Sequence, residues 1–448
     1  MAKVDEQSMV FVQNREICRM IKHHKLRVPS VICTAATIAA LTSTTAFAQD
    51  TTVRMWFNGT PEAHGAVLDR LIPEFEAANP GIKIEYEITA WSSYQQQIAT
   101  AAAGGTLPDI IFGFSNLVAG FAERGLLADH AKFFNPEDFV PATVDLTSWN
   151  GTWSMLPTWF SANGLSWRAD LISAGGNDAS VAPATWDQWL AWAEGATVRD
   201  ASGAITQLGF YSSSFDFNRS NLFTRLVESN GGAMFSEDGK TATMNMPQAV
   251  EAAAFFQKLV QCCDVPRSIE ADNVGLGQGR TAMVYNNFAF RNWQNEFPDL
   301  LQHAGLGLVP AGPKGTPEMA GAGLGANVIA ITSASKNPEA AAKLLQFLIV
   351  EPDNIVQLAG LGGSIPGAVL PDGHPYLEGN PLAQRYLQLA LDGGSADPKH
   401  PNFSEYESIL NVWLDELLLN GMAPQEAMDN AAAEIQAEII DRSGIAFN

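Results

Sequence analysis

The sequence predicts an α/β protein, because short apolar strands alternate with amphipathic helices between residues 53 and 114. The chain has 448 residues, which is enough for two or three domains, and its hydrophobic content of 46% supports sizeable cores. The order strand, helix, strand, helix, strand indicates a parallel sheet covered by helices. Sheets of this kind bind ligands beyond the carboxyl ends of their strands, so functional residues are expected there.

The elements of this first region follow from the periodicity of their apolar residues. Residues 53–57 alternate and are rich in β-forming side chains, which predicts the first strand. A helix is predicted over residues 62–79, where Asn79, Pro80 and Gly81 end it. Residues 82–88 alternate with period two and predict the second strand. A second helix is predicted from Ser92 or Ser93 to Ala103.

The stretch GGTLPDIIFG at residues 104–113 predicts the third strand and the turn before it. Two glycines and a proline favour a tight turn, and three apolar residues follow the aspartate. A short continuous apolar run is typical of a strand that is buried on both faces. The strand is therefore expected to end near Gly113.

A second region begins after Pro157, where helices and strands continue to alternate. Trp186, Trp189 and Trp192 share one helical face, which favours a role in a core over a role in a binding site. The last segment is predicted to be helical from about Asn402. The other predicted helices cover 186–196, 247–262 and 338–349, and the predicted strands cover 282–285, 305–309 and 327–331.

The N-terminal 48 residues are predicted to be an upstream extension and a secretory signal peptide. A basic stretch over residues 20–27 precedes an apolar run at 28–45, and Ala46-Phe47-Ala48 fits the small-x-small cleavage rule. A membrane anchor is the alternative, but the apolar run is short and rich in Thr and Ser. We therefore expect export, with cleavage after Ala48.

The net charge of −22 argues against nucleic acids and anionic membranes as partners, because both would repel the protein. Only Cys262 and Cys263 remain after cleavage, which excludes a disulfide framework and a cysteine-based zinc site. These neighbouring residues could form a vicinal disulfide, but the expectation is that they are reduced and partly buried near a helix end. No metal site and no cofactor is predicted.

Seven short motifs occur in an order that resembles the extracellular solute-binding proteins of carbohydrate ABC importers, the group that includes maltose-binding protein. The resemblance covers nearly the whole chain after the predicted signal peptide. The motifs are Trp56-Phe57-Asn58-Gly59, residues 75–82 (FEAANPGI), residues 105–112 (GTLPDIIF), Gly125-Leu126-Leu127, residues 183–187 (PATWD), residues 279–283 (GRTAM) and residues 337–341 (NPEAA).

This resemblance implies a two-lobed periplasmic-binding-protein fold, in which each lobe has a mainly parallel sheet with flanking helices and a hinge joins the lobes. The implied N-terminal lobe comprises 49–158 and 319–366, and the implied C-terminal lobe comprises 159–318 and 367–448. The implied function is capture of a sugar, an oligosaccharide or a glucoside, in the cleft between the lobes. The implied partner is a membrane permease with a separate ATPase, and the protein itself would be a periplasmic monomer without enzymatic activity.

The resemblance also assigns roles to individual residues. Asp109 is implied to be structural and to hold the turn before the third strand. Sugars present hydroxyls and apolar ring faces, so polar side chains and aromatic rings are expected at the site. The predicted ligand-binding residues are Asn58, Gly59, Thr60, Glu62, Trp91, Ser115, Asn116, Trp159, Ser161, Asp216, Asn286, Asn287, Arg291, Trp293, Gly323, Leu324, Gly363 and Ser364.

Two alternative functions remain open at this point. Glycerol 3-phosphate or a related phosphodiester would use Arg291 and the serines at 212–214 to bind its phosphate. A secreted glycosidase would need two carboxylates about 5–10 Å apart in a cleft, and composition alone does not exclude such a pair. The glycine-rich run at 275–279 lacks the Lys-Ser/Thr of an ATPase phosphate loop, so it does not predict nucleotide binding.

Overall fold

The strands of the protein assemble mainly into one large mixed sheet. The computed structural model describes residues 50–91, 93–212, 216–264, 273–286, 296–361 and 364–448. The strands in these ranges are β1 (Thr51–Asn58), β2 (Ile82–Thr89), β3 (Ile110–Phe114), β4 (Ser148–Trp149), β5 (Thr152–Trp153), β6 (Leu156–Arg168), β7 (Val198–Arg199), β8 (Ile205–Gln207), β9 (Met283–Asn286), β10 (Ala304–Gly307), β11 (Ala322–Ile331), β12 (Ile365–Pro366) and β13 (Gly394–Ala396).

Helices cover this sheet. In the described ranges they are α1 (Ala66–Ala78), α2 (Tyr94–Gly104), α3 (Val118–Glu123), α4 (Pro141–Leu146), α5 (Ala169–Ala174), α6 (Trp186–Ala196), α7 (Asp216–Ser229), α8 (Pro247–Cys263), α9 (Asn273–Gly277), α10 (Pro338–Leu345), α11 (Pro352–Gly360), α12 (Pro375–Glu378), α13 (Pro381–Gly393), α14 (Phe403–Leu418) and α15 (Pro424–Ile435). Three π-helical turns add Pro61–Gly65, Gln346–Val350 and Gln436–Asp441. None of the described helices is both long and apolar enough to span a bilayer.

The first three strands form the predicted parallel arrangement. The order in the main sheet is β10-β6-β11-β3-β1-β2, and β1 pairs in parallel with both β2 and β3. β11 then pairs antiparallel with β3 and with β6. The prediction of an α/β fold is confirmed, and the predicted boundaries of β1, β2 and β3 hold to within about two residues.

Two long strands, β6 and β11, connect the two halves of the molecule. The first half contains β1, β2 and β3, and the second half contains β9 and β10. Residues 156–163 of β6 pair with β11, whereas residues 164–168 pair with β9 and β10. One apolar core lies around Phe57 and Ile329, and another lies around Trp189 and Phe256. A third core packs between them along these strands and includes Phe160 and Leu324. The strands that cross between the halves are therefore fixed by packing on both sides.

The GGTLPDIIFG stretch has the structure that its sequence predicts. Gly105 caps α2 with φ of 64°, a left-handed conformation that favours glycine. Asp109 Oδ2 accepts a hydrogen bond from the Arg54 backbone N–H at 2.9 Å, and its Oδ1 accepts one from the Ser335 hydroxyl at 2.6 Å. The carboxylate thus joins β1, the start of β3 and the segment after β11, which agrees with a structural role.

The state expected for the two cysteines is wrong. Cys262 and Cys263 are bonded to each other in a vicinal disulfide instead of being reduced. Their expected position is correct, since they are the last two residues of α8 and Cys263 is buried. The Cys263 carbonyl accepts hydrogen bonds from the backbone N–H groups of Gly209 and Phe210, so the end of α8 holds the chain that leads into α7.

Trp186, Trp189 and Trp192 are all buried in the core around Trp189 and Phe256. Trp186 stacks on Phe255 with a centroid separation of 4.5 Å, and Trp189 meets Phe210 edge to face at 5.3 Å. The interpretation of this tryptophan face as core is confirmed.

His130 is a buried residue that connects β11 to the segment before β6. Its Nε2 accepts the Ile331 backbone N–H at 2.9 Å, so the ring proton lies on Nδ1, which faces the Trp153 carbonyl at 3.3 Å. If Nε2 were protonated, its N–H would face the Ile331 N–H, and two hydrogen-bond donors would oppose each other. Burial lowers the pKa of His130 to about 4.

This histidine should make the folded state sensitive to acid. The folded-state pKa is below the unfolded value of about 6.5, so the unfolded chain binds the proton first and stability falls as the pH drops from about 6.5 to about 4. The expected loss in the free energy of unfolding is on the order of 3 kcal/mol. Urea unfolding at several pH values measures it, and His130→Gln should flatten the curve in this window. An identical pH dependence in both proteins would contradict the assignment.

Candidate functional site

The site is built on one face of the paired strands β6 and β11. Side chains at alternate positions of a strand point to the same face, and directly paired residues share that face. Trp159, Ser161 and Asn163 therefore lie on one face together with the residues that pair with them. Those pairs are Trp159 with Asn327, Ser161 with Gly325, and Asn163 with Gly323. We call these six residues the strip.

The middle of the strip is open. Ser161 and Gly325 are both partly exposed, although most of β6 is buried. A Cβ atom added to Gly325 would meet no heavy atom of the described residues within 4 Å. Among the described residues, Gly325 and Ser161 thus form an open floor, and a ligand that lies on this floor would reach both ends of the strip.

Aromatic rings surround the first end of the strip. The Trp159 ring is only 5% exposed and packs 5.3 Å from Phe112 and 6.2 Å from Phe57 between ring centroids. His64 stacks on Trp159 at 6.0 Å, with 24° between the ring planes. Trp91 lies edge-on to His64 at 6.3 Å and is 36% exposed. Trp91 therefore offers an indole surface to a ligand, whereas Trp159 is buried and mainly supports the His64 ring that stacks on it.

His64 belongs to this aromatic group, although it is not among the ligand-binding residues predicted from the sequence. It lies in the π-helical turn Pro61–Gly65 directly after β1. A Cβ at Gly59 would be 2.6 Å from His64 Cγ, so glycine at this position allows the imidazole to lie against the backbone. The Thr60 backbone N–H donates to His64 Nδ1 at 3.3 Å. The available signal was a histidine within the loop after the first strand, where ligand contacts are expected.

Polar side chains surround the second end of the strip. Asn163 Nδ2 donates to Asn221 Oδ1 at 3.3 Å, and the Tyr285 hydroxyl donates to the same oxygen. Asn221 Nδ2 donates to Asp397 Oδ1 at 2.7 Å. Gly323 must be glycine here, because a Cβ would collide with the Asn221 amide. None of these four polar residues was selected from the sequence, since they come from β6, α7, β9 and the segment after β13.

Burial and charge oppose each other at Asp397. Burial raises the pKa of the Asp397 carboxyl, while the Arg225 guanidinium favours its charged form. Arg225 Nη2 lies 3.4 Å from Asp397 Oδ1, and Arg225 Nη1 donates to the Ser395 carbonyl at 2.8 Å. Glu228 also contacts Arg225, at 3.3 Å, and burial raises the pKa of this carboxyl as well.

The predicted residues of the first half lie around the aromatic end. Asn58 is buried and its Oδ1 accepts a hydrogen bond from the Thr89 hydroxyl, while its Nδ2 has no hydrogen-bond partner among the described residues. Gly59 contacts His64. Thr60 and Glu62, which follow Gly59 in the sequence, are exposed to solvent. The Ser115 hydroxyl accepts from the Ala326 backbone N–H at 3.1 Å, which places Ser115 beside β11.

The other predicted residues have more varied positions. Asn116 follows Ser115 and is partly exposed, and Asn286 is buried at the end of β9, paired with Gly164. Leu324 packs in the core that includes Phe160, so only its backbone lies beside the strip. The Ser364 carbonyl accepts from the Tyr376 hydroxyl at 2.6 Å. Asp216 begins α7, but its side chain lies outside the described part, as do Asn287, Arg291, Trp293 and Gly363.

No group of three or more potential metal ligands occurs within the described ranges. A model of the family described as bacterial extracellular solute-binding protein matches residues 58–354. The chain belongs to this family. Its members are binding proteins rather than enzymes, and the recognition of a solute-binding protein from seven sequence motifs is confirmed.

Curated relatives agree with the family. A protein of Brucella abortus (strain 2308), whose name describes it as a binding protein, is 24% identical over 388 residues, which cover 83% of this chain and 90% of that protein. A Deinococcus radiodurans protein, named as an ABC transporter-binding protein, is 28% identical over 218 residues, which cover 46% of this chain and 50% of that protein.

Solved structures confirm the two-lobed fold. The GacH receptor of Streptomyces glaucescens, solved unliganded and with acarbose, matches with a TM-score of 0.73 at 19% identity and covers 88% of this chain and 99% of that one. The maltose-bound T. maritima MalE3 matches with a TM-score of 0.71 at 23% identity and covers 86% of this chain and 99% of that one. At such identities the likeness establishes the fold and leaves the ligand to be argued from the site.

Proposed function

We propose that this solute-binding protein captures a neutral sugar, an oligosaccharide or a glucoside, on the strip between Trp91 and Asn163. The observation that carries the proposal is the open floor at Ser161 and Gly325, with an exposed indole at one end and buried amides at the other. A sugar has apolar C–H faces that pack on aromatic rings and hydroxyls that pair with amides. The two ends of the strip match these two properties.

The charges near the strip favour a neutral sugar over a phosphate. Arg225 is held by Asp397 and Glu228, and Arg219 Nη1 lies 2.7 Å from Asp415 Oδ1. An arginine that is already paired with a carboxylate is a poor ligand for an added anion. The strong negative charge of the whole chain also disfavours an anionic ligand. Glycerol 3-phosphate therefore remains the second candidate, and it would depend on Arg291.

The fold supports a transport cycle in which two lobes close around the ligand. The lobes are proposed to comprise 49–158 with 319–366, and 159–318 with 367–448. They close around the sugar because the rings of Trp91 and His64 belong to the first lobe, whereas the amides of Asn163 and Asn221 belong to the second. A ligand shifts an open–closed equilibrium only by its difference in affinity for the two states, so contacts from both lobes are needed. The closed monomer would then deliver the sugar to a permease of an ABC importer in the periplasm, after removal of the signal peptide.

Trp91→Ala tests the aromatic end. Loss of the exposed indole should weaken sugar affinity roughly tenfold, because an aromatic stacking contact contributes on the order of 1.4 kcal/mol. Calorimetric titration with maltose, trehalose, sucrose and glucose measures the change. Trp413→Ala is the matched control, since Trp413 is also partly exposed and its Nε1 is bonded to Glu434 instead of lying near the strip. Unchanged affinity in Trp91→Ala would show that the sugar does not use this end.

A further inference from the structure

A continuous chain of hydrogen bonds runs from the strip into the second half of the molecule. It passes from Asn163 to Asn221, then to Asp397, and from Asp397 to Arg225. Arg225 is itself fixed by the carbonyls of Ser395 at 2.8 Å and Ala396 at 3.3 Å. The chain therefore ends in backbone atoms that cannot reorient without moving β13.

The chemistry of the last side chains fixes the direction of every bond in this chain. An ionised carboxylate accepts hydrogen bonds and donates none, so Asn221 must present its NH₂ group to Asp397. The Asn221 oxygen then faces the other way, where it accepts from Tyr285 and from Asn163 Nδ2. Because the Asn163 NH₂ group donates to Asn221, the Asn163 Oδ1 points away from this series of hydrogen bonds.

This oxygen lacks a partner in the described part of the protein. Asn163 is only 2% exposed, and its Oδ1 is buried without a hydrogen bond among the described residues. A buried amide oxygen without a partner destabilises the protein, and this penalty is removed when a hydrogen-bond donor reaches the oxygen. Asn163 lies two residues after Ser161 on the same strand face, so its side chain stands next to the open floor.

We propose that Asn163 Oδ1 accepts a hydrogen bond from one hydroxyl of the bound sugar, and that Asp397 sets this preference by orienting Asn221 and thereby Asn163. The inference rests on the proposed function and deepens it. It assigns Asn163 as a ligand contact and Asn221 and Asp397 as positioning residues. It also defines the ligand group, because an acceptor in this position selects a hydroxyl and rejects a group that cannot donate.

The test combines variants of the protein with analogues of the sugar. The sugar that binds among maltose, trehalose, sucrose and glucose is compared with analogues in which one hydroxyl at a time is replaced by fluorine, which cannot donate. In the unaltered protein, one position should show a penalty of about tenfold or more. In Asn163→Ala the affinity for the parent sugar should fall about tenfold, and the penalty at that one position should shrink to less than about twofold.

Two further variants separate this contact from a structural effect. Asp397→Asn leaves the strip unaltered but allows the chain of amides to reverse, so the penalty at the same position should shrink there too. Ser166→Ala is the control, because Ser166 is buried on the opposite face of β6 and its hydroxyl likewise has no partner among the described residues. It should keep the full penalty. If Asn163→Ala does not fold, Asp397→Asn carries the test.

The outcomes distinguish a failure of the proposed function from a failure of the inference about Asn163. If the unaltered protein binds none of the four sugars, the proposed function fails and this inference fails with it. If a sugar binds but Asn163→Ala and Asp397→Asn keep the full penalty at every position, the inference alone is overturned. An equal loss of affinity for all analogues would indicate a general structural effect and would overturn it as well.

Discussion

Gly325→Leu is expected to abolish sugar binding while the protein remains folded. The space next to Gly325 is open in the described part of the protein, since a Cβ there meets none of its heavy atoms within 4 Å, and the φ of Gly325 is not in the left-handed region. A Cβ atom can therefore be added without a clash with the described residues, and the rest of a leucine side chain would extend over the floor on which the sugar is proposed to lie. We expect affinity to fall by at least about a hundredfold, because overlap with a bound ligand costs several kcal/mol.

Calorimetric titration measures this loss, and circular dichroism with thermal unfolding checks that the fold is retained. Gly104→Leu is the matched control, because Gly104 is exposed at the end of α2 and, among the described residues, a Cβ there meets only the Thr106 hydroxyl, at 3.7 Å. It should bind sugar like the unaltered protein. If Gly325→Leu is folded and keeps its affinity, the ligand does not lie on the strip.

Arg225→Met is expected to cause a large loss of stability. Arg225 is fully buried and balances Asp397 and Glu228, so its removal leaves two buried or half-buried carboxylates without their cation. Breaking a buried ion pair in this way costs about 3–5 kcal/mol in the free energy of unfolding. Urea unfolding at pH 7 measures the loss. Arg442→Met is the control, because Arg442 forms exposed ion pairs with Glu405 and Glu438, and its removal should change stability little.

The deficit of Arg225→Met should shrink as the pH falls. Burial already raises the pKa values of Asp397 and Glu228 above those of the unfolded chain, and the loss of the guanidinium raises them further. A carboxyl with a raised pKa binds its proton more readily in the folded state than in the unfolded chain. Its contribution to the free energy of unfolding therefore increases as the pH falls. The comparison with the unaltered protein at pH 7 and about pH 5 isolates the effect. A deficit that stays constant or grows in acid would contradict the electrostatic explanation.

The sequence could predict the elements whose signals are local. β1, β2 and β3 each show their own periodicity, and the turn at Gly105 needs a glycine within a few residues of the strand that it precedes. The strip is partly local as well, because Trp159 and Ser161 lie on a strand that the family resemblance places at the hinge. These features depend on neighbours in sequence, so a single chain contains enough information to place them.

The polar end of the site could not be predicted, because it depends on contacts between distant residues. Asn163 and Asn221 are 58 residues apart, and Asn221 and Asp397 are 176 residues apart. Each residue by itself is compatible with a surface loop or a helix, and only the fold makes them one buried chain. The vicinal disulfide was misjudged for a related reason, since adjacent cysteines give the same sequence signal in either redox state.

The central claim is that the strip on β6 and β11 binds a neutral sugar. Calorimetric titration of the purified protein with maltose, trehalose, sucrose, glucose and glycerol 3-phosphate tests it most directly, with Gly325→Leu measured in parallel. The account predicts saturable binding of one molecule of a neutral sugar, no competition by glycerol 3-phosphate, and loss of binding in Gly325→Leu. Binding of glycerol 3-phosphate alone, or sugar binding that survives in Gly325→Leu, would contradict it.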